Sequence, residues 1–514
     1  MEEASNWLIP TSIFLLFFFL VSKYILQIHG KHKNLPPSPP SLPMIGHLHL
    51  IKQPLHQSFH NLTQKYGHML FLKLGTRKVL VVSSPSAIEE CFTKNDITFA
   101  NRPTTLAAKL LNYGSRTIGF ASYGDHWRSL RRLTTLELFS TNRLAMFESI
   151  REEEIRLLVK ELFQECSKCG QTQKFKVELR PKFVEVSFNM LLRMISGKRY
   201  YGKDIDEEGK EFQILMKEFA ALQASSINDF IPILEWIDFQ GVKKKMVNLM
   251  KKVDSFLQKL LDEIQRNRSI RSDRNNNNGK LNLIEVMLDL QDKEPELYTY
   301  ETMKGVILAI LIAGSETSAI TMEWAVSLLL NNPQTMKKLQ HEIETHAGHD
   351  QLLNESNASK MKYLQNIITE TLRIYPVAPL LIPHESSSDC NVCGYDIPKG
   401  TMVLANLWTL QRDPNLWADP TRFVPERFDD NGDGSKVCYN MIPFGVGRRA
   451  CPGGVLAKHV MGHALGALFQ CFEWEKIEDQ VDMAEGIGFT LPKAQPLVAF
   501  CKPRQEMVKV LSNI

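Results

Sequence analysis

A chain of 514 residues, 44% hydrophobic and 23% charged, can bury a large core and is not disordered. Its formal net charge of +4 is too small to point to nucleic acid. Nine cysteines in such a length make no disulfide framework, and the pairs Cys166/Cys169 and Cys390/Cys393 lie much further apart than the roughly 15–20 residues a zinc ribbon needs.

In chain order, Ser5 to Ser22 is uncharged and contains Leu15-Leu16-Phe17-Phe18-Phe19-Leu20-Val21. With the apolar residues beyond Lys23 it approaches the about 20 residues of a bilayer span. Glu2 and Glu3 stand where a cleaved signal has basic residues, and no small-x-small cleavage site follows. Lys23, Lys31 and Lys33 flank its C-terminal side. They predict a single uncleaved anchor over residues 1–28, with the body in the cytosol and the endoplasmic reticulum as the membrane. Reduced thiols fit that side. Residues 29–43 are basic and then proline-rich, from Pro36 to Pro43, and predict a stiff extended spacer. Residues 44–514 are expected to form one globular body.

Met69–Leu74 and Val79–Val82 around Gly75-Thr76 predict a β-hairpin, and Ser84-Pro85 starts a helix to about Lys94. Residues 126–165 are helical in pattern, with Trp127 and Arg131 four apart on one face. Arg266 to Lys280 is polar and low in complexity, a connection between helices. A long helix is predicted from about Thr302 to Leu330, stopped by Asn331-Asn332-Pro333. At 1.5 Å per residue it spans about 43 Å. Glu316 near its middle would be costly in a bilayer, so a buried helix with a functional break at Ala313–Ser318 fits better. Gly314 there, with no side chain, would leave the backbone open to close approach, and the neighbouring hydroxyls would bend the helix. Glu370 and Arg373 sit at i and i+3, in isolation an ordinary helical ion pair.

Pro443 to Gly453 sets one cysteine, Cys451, among glycines and arginines ahead of an apolar run from Val455 to Phe469. A thiolate that ligates haem iron needs such a setting. Glycines at 445, 447 and 453 free backbone amides to approach the sulphur. Phe444 can shield one side, and Arg449 can reach an anionic haem propionate.

Phe444, Gly447, Arg449, Cys451 and Gly453 match Phe-x-x-Gly-x-Arg-x-Cys-x-Gly, which resembles the haem-binding signature of the cytochrome P-450 family. The resemblance implies a mainly α fold with small β-sheets, one N-terminal transmembrane helix, and haem b with Cys451 as its axial thiolate. It implies propionate bonds from Trp127, Arg131 and His384, and places Ala313 and Gly314 beside the haem. Ala313 to Ser318 resembles the family's (Ala/Gly)-Gly-x-(Asp/Glu)-Thr-(Ser/Thr) pattern, which implies that Gly314 lets dioxygen sit close to the backbone and that Glu316 and Thr317 deliver protons to oxygen. Many plant members have Asp where Glu316 stands. Glu370, Arg373 and Arg427 resemble the family's structural Glu–Arg–Arg cluster.

The proline-rich hinge, Phe99 to Pro103, Thr321 to Ala325 and Phe472 to Glu475 resemble plant endomembrane members. The nearest resemblance is to plant family 81, whose members oxidise isoflavones, furofuran lignans and indole compounds; Cys393 departs from it, in a surface turn. The function implied is a monooxygenase using O₂ and electrons from NADPH–cytochrome P-450 reductase. It would hydroxylate, or oxidatively close a ring on, a hydrophobic plant metabolite such as a phenolic, lignan, alkaloid or terpenoid. An oxygen-independent isomerase or dehydratase needs no Glu316–Thr317 pair, and a haem sensor needs no proton relay. Leu110, Leu111, Phe120, Ala309, Val377, Leu381, Ile487 and Phe489 are expected near the substrate, with plain core as the competing reading for each. Arg128, Arg132, Arg448 and Lys458 are expected to form a basic rim for the reductase.

Overall fold

The computed structural model describes residues 11–12, 14–19, 34–168, 174–202, 207–223, 227–238, 240–272, 281–429 and 439–514. Of the expected anchor, residues 11–12 and 14–19 are helical, and Phe14 to Phe19 are exposed; the rest of 1–28 lies outside the described residues. Cys169 and residues 273–280 of the polar connection lie outside them too.

The hairpin forms as β1 (Met69–Leu74) and β2 (Arg77–Val82), with Met69 opposite Val82. Gly75 turns at φ +56°, and a Cβ there would lie 2.0 Å from the Phe230 carbonyl oxygen, so only glycine fits. The helices that build the site follow: α1 (Leu106–Leu111), α2 (Asp125–Glu137), α3 (Glu148–Lys168), α4 (Leu179–Ser196), α5 (Pro232–Ile237), α6 (Val242–Ser272), α7 (Tyr300–Asn331) and α8 (Lys362–Ile374). Strands β3 (His384–Glu385) and β4 (Met402–Ala405) complete a sheet of order β1-β2-β4-β3, in which β2 and β4 run parallel. Helix α9 (Gly454–Cys471) leads away from the cysteine loop.

The helical pattern of 126–165 divides where the Ser140 side chain accepts from the Arg143 amide and caps a new short helix, Thr141–Met146, ahead of α3. The proline-rich stretch is extended but is no free spacer. The Phe71 amide donates to Pro37 O at 2.9 Å, and His47 Nε2 meets Pro39 O at 2.8 Å, so it docks along β1. Arg266 belongs to α6, so the polar connection starts later than its composition suggested.

Helix α7 begins where the Thr299 side chain accepts from the Thr302 amide. Apart from its first residues and the Ala309–Thr317 stretch it is buried nearly all round, as its unbroken apolar composition requires. The break expected at Ala313–Ser318 is absent: α7 is continuous from Tyr300 to Asn331. Its hydroxyls bond within the helix, Ser315 to Leu311 O at 2.7 Å, Thr317 to Ala313 O at 2.6 Å and Thr321 to Thr317 O at 3.0 Å. Each takes a carbonyl already in the ladder, which leaves the helix intact.

Candidate active site

The cysteine loop is closed by the Cys451 amide, which donates to Phe444 O at 2.8 Å. Gly447 turns at φ +72°, and a Cβ there would lie 2.4 Å from Phe92 O, so this glycine lets the loop dock on the turn Glu90–Lys94. The Gly445 amide donates to Ile442 O at 2.9 Å and is spent in the turn, contrary to the expectation that it meets the sulphur. The Gly453 amide dipole does act on the Cys451 thiol, pulling it down. Arg131 reaches the loop from α2, Nη1 donating to Ala450 O at 2.7 Å.

Burial raises the Cys451 thiol above its ordinary value, while the Gly453 amide and the Arg131 charge pull it down. The net shift is upward, so the loop alone does not make a thiolate; a metal cation at the sulphur would. Cys451 is nevertheless exposed by accessible surface. Accessible although set among half-buried residues of its loop, it faces a space that the chain leaves open. Ala313, exposed between buried Leu311 and Ser315 on α7, shows the same pattern.

Around this space cations outnumber carboxylates, of which Asp96 is bound to Arg448. Arg102 is 6% exposed and donates to Ile382 O (2.7 Å), Pro383 O (2.8 Å) and Gly119 O (3.1 Å). Arg449 donates to Ala100 O (2.8 Å) and Ala121 O (2.6 Å), with its guanidinium 4.2 Å over the Trp127 ring. Burial, then the Arg131 and Arg448 charges, lowers Arg449 to about 10. Burial and Arg449 push Arg102 well down. His384 donates from Nδ1 to Phe99 O at 2.7 Å; burial, then Arg102, holds it well below its usual value, so it is neutral with Nε2 left over. Among the described residues no carboxylate pairs with Arg102 or Arg449. Buried guanidinium groups without counter-charge are costly, and the two propionates of a haem supply what this cluster lacks. The donor set therefore fits haem b on Cys451.

Two expected propionate donors are engaged elsewhere. The Trp127 indole donates to Ile118 O at 3.1 Å, so its part is to pack beneath Arg449. Neutral His384 spends its one N–H on Phe99 O, and its bare Nε2 can only accept. Arg102 went unassigned in the sequence, where it stood only in the Phe99–Pro103 motif; its partners lie up to 281 residues away, and no local spacing announces them.

On the opposite side, Gly314 does not open room for oxygen. A Cβ there would lie 2.6 Å from Leu191 Cδ1 of α4, so the glycine serves close packing of α7 on α4. Ala313 is the residue that faces the space. Burial raises the Glu316 carboxyl, with Arg180 of α4 pulling it back. Arg180 itself grips buried Glu323 Oε2 at 2.8 and 2.6 Å.

Glu370, Arg373 and Arg427 meet in one cluster: Arg373 holds both Glu370 oxygens (2.6 and 2.7 Å), and Arg427 Nε adds a bond of 3.2 Å. Glu370 and Arg373 are fully buried, and Arg373 also donates to Gln411 O and Pro420 O. Of the expected substrate contacts, Leu111 is 0% exposed within the main core and lines nothing. Leu110, Phe120, Ala309 and Leu381 are half-buried and Val377 buried. The Leu491 amide donates to Val377 O at 2.9 Å and brings the turn with exposed Ile487 and Phe489 beside that segment. Arg448 is tied to Asp96 (2.7 Å) and the Tyr123 hydroxyl (2.7 Å), which removes it from the basic rim, whereas Arg128, Arg132 and Lys458 stay exposed. A separate cavity of about 390 Å³, between Phe147, Arg193, Lys198 and Glu285, is lined by none of these residues. Among the described residues no cluster of three or more His, Cys, Asp or Glu forms a further metal site.

Fold and site together define a haem-thiolate monooxygenase. The cytochrome P450 family profile matches residues 36–500. The chain is 49% identical to "Cytochrome P450 81Q32" of Catharanthus roseus, covering 96% of each. It is 44% identical to an isoflavone 2'-hydroxylase of Glycyrrhiza echinata, covering 98% of this chain and 99% of that one. A zebra fish cytochrome P450 solved with progesterone superposes with a TM-score of 0.74 at 24% identity, covering 88% of this chain and 100% of that one, and shares the fold. The chain belongs to the cytochrome P450 family, among its plant family 81 members. Its cofactor is haem with a cysteine thiolate, and it works with O₂, a redox partner and a hydrophobic substrate.

Proposed function

We propose that this chain hydroxylates a flat, hydrophobic plant phenolic of the isoflavone kind, or closes a ring on it, with Cys451 as the iron ligand. The observation that carries the ligand is the cysteine loop beside carboxylate-free Arg102, Arg449 and Arg131. The isoflavone hydroxylase relative supports the substrate class. Haem bound there supplies activation of O₂ for transfer of one oxygen atom to a carbon. The chain's own residues then have three tasks. Arg102, Arg131 and Arg449 hold the propionates. Half-buried Leu110, Phe120, Ala309 and Leu381, with Val377, exclude water and orient an apolar substrate. Glu316, kept protonated more readily by burial, and the Thr317 hydroxyl hold and pass protons on the α7 side.

The same reading places the body on the cytosolic face of the endoplasmic reticulum with a single anchor over 1–28, a hinge to residue 43 and one catalytic domain beyond. Exposed Leu42, Met44 and Ile45 on one side and Ile233, Trp236 and Ile237 on the other support a bilayer face. Both groups flank the Gly75 turn, whose amide donates to Ile45 O while that of Thr76 donates to Phe230 O. An NADPH-dependent reductase would dock on the cysteine-loop side, steered by Arg128, Arg132 and Lys458.

The test is the reduced, carbon-monoxide-bound spectrum together with product analysis. The wild type should show a thiolate-type Soret band and oxidise isoflavones in reductase-bearing membranes. Cys451→Ala should lose the band. Retention of the band in that variant would refute the assignment, and turnover of none of the phenolics would refute the substrate class.

A further inference from the structure

We propose that Tyr113, Asp254 and Lys304 form a latch that holds residues 106–124 over the space between Cys451 and α7, and so sets which molecules reach it and how fast. The inference rests on the reading of that space as the haem and substrate site.

The segment is fixed at its inner end by the cation cluster. The carbonyls of Ile118, Gly119 and Ala121 accept from the Trp127 indole, Arg102 and Arg449. Further out it lies on α7: a Cβ at Gly305 would sit 3.6 Å from both the Thr117 methyl and the Tyr113 ring. Gly305 is one helical turn before Ala309 and two before Ala313. A segment pinned to the cations at one end and to α7 at the other walls the space between them.

Its outer end, closed on itself by the bonds from the Gly114 amide to Lys109 O and from the Ser115 amide to Ala108 O, is tied to α6 and α7 through one oxygen. The Tyr113 hydroxyl donates to Asp254 Oδ1 of α6 at 2.9 Å, and Lys304 Nζ of α7 reaches the same atom at 2.6 Å. Lys304 is 8% exposed on an otherwise apolar stretch, so its ammonium needs this counter-charge. Asp254 is different: its side chain is 40% exposed, so water can replace the phenol without stripping Lys304 of its partner. Burial, then Asp254, raises the Tyr113 phenol far above its usual range, which keeps it a donor. The chain here passes through three successive left-handed residues, Tyr113 (φ 48°), Gly114 (φ 66°) and Ser115 (φ 63°). Tyrosine and serine hold that conformation only where the surroundings enforce it, here the turn's own backbone bonds together with the hydroxyl bond of Tyr113 to Asp254. Release of the phenol frees a strained turn, and the wall loosens where it faces the outside.

The experiment uses the haem-loaded full chain, with imidazole as a small probe and 4-phenylimidazole as a bulky one, followed by stopped-flow Soret shifts. Tyr113→Phe should raise the association rate of 4-phenylimidazole about tenfold, the size set by one lost charge-assisted hydrogen bond, and leave that of imidazole little changed. Amide hydrogen exchange over 112–121 should quicken in the same variant while α8 is unaffected. A doubly neutral variant without the acceptor, Asp254→Ala with Lys304→Met, should behave likewise. If it does not fold, Tyr113→Phe still decides, because it leaves the ion pair intact. Unchanged rates for both azoles, or unchanged exchange over 112–121, would overturn the latch. If no azole shifted the Soret band at all, the haem-site reading itself would fall, a result distinct from unchanged rates.

Discussion

Gly314 separates two physical accounts of the same residue. Replacing it by alanine adds a methyl whose carbon would lie 2.6 Å from Leu191 Cδ1, well inside contact distance. The obstructing atom ends a flexible side chain, but Leu191 is 5% exposed and packed in the main core, so it has little room to yield. Overpacking of this kind costs about 1–3 kcal/mol, while alanine in place of glycine in a helix interior gains about 1 kcal/mol. Overpacking wins, and Gly314→Ala should be destabilised by roughly 0–2 kcal/mol. In a Leu191→Ala background the obstruction is gone, and the same change should stabilise by about 1 kcal/mol. The assay is urea unfolding of the four proteins of this double-mutant cycle, with a coupling of about 1–3 kcal/mol expected. The same sign of effect in both backgrounds would refute helix packing as the reason for the glycine. It would return Gly314 to the role of making room for dioxygen.

Two further outcomes follow from the site. Glu316 binds its proton more tightly folded than unfolded, since burial raises its carboxyl. The native state therefore holds more protons between the unfolded and folded values, and stability falls as pH rises through that window. Urea midpoints should decline with pH above the usual carboxylate range in the wild type relative to Glu316→Gln; parallel curves would mean that the carboxyl is not shifted. Arg373→Met strips fully buried Glu370 of its two-pronged partner and leaves it Arg427 and the Val424 amide. The cost should be about 3–5 kcal/mol, read as loss of haem-loaded protein, and a variant within 1 kcal/mol or so of the wild type would contradict it.

The sequence by itself determined what depends on neighbours along the chain. The five matched positions around Cys451, the helix expected from about Thr302 to Leu330 with its stop at Asn331-Asn332-Pro333, and the i, i+3 pair Glu370–Arg373 are all local patterns. The structure has the helix over Tyr300–Asn331 and the pair at Glu370–Arg373. The β1–β2 hairpin was legible for the same reason, since Gly75 marks its turn. Only the tertiary structure decided where groups far apart in sequence spend their hydrogen bonds and volume. Arg102 was silent because its acceptors belong to residues 119, 382 and 383. The Trp127 indole and the Gly445 amide turned out to be committed to backbone carbonyls, and Leu111 to the core. Gly314 was misread because its constraint comes from Leu191 on another helix. A glycine motif states that a Cβ is forbidden; which atom forbids it is a property of the packing.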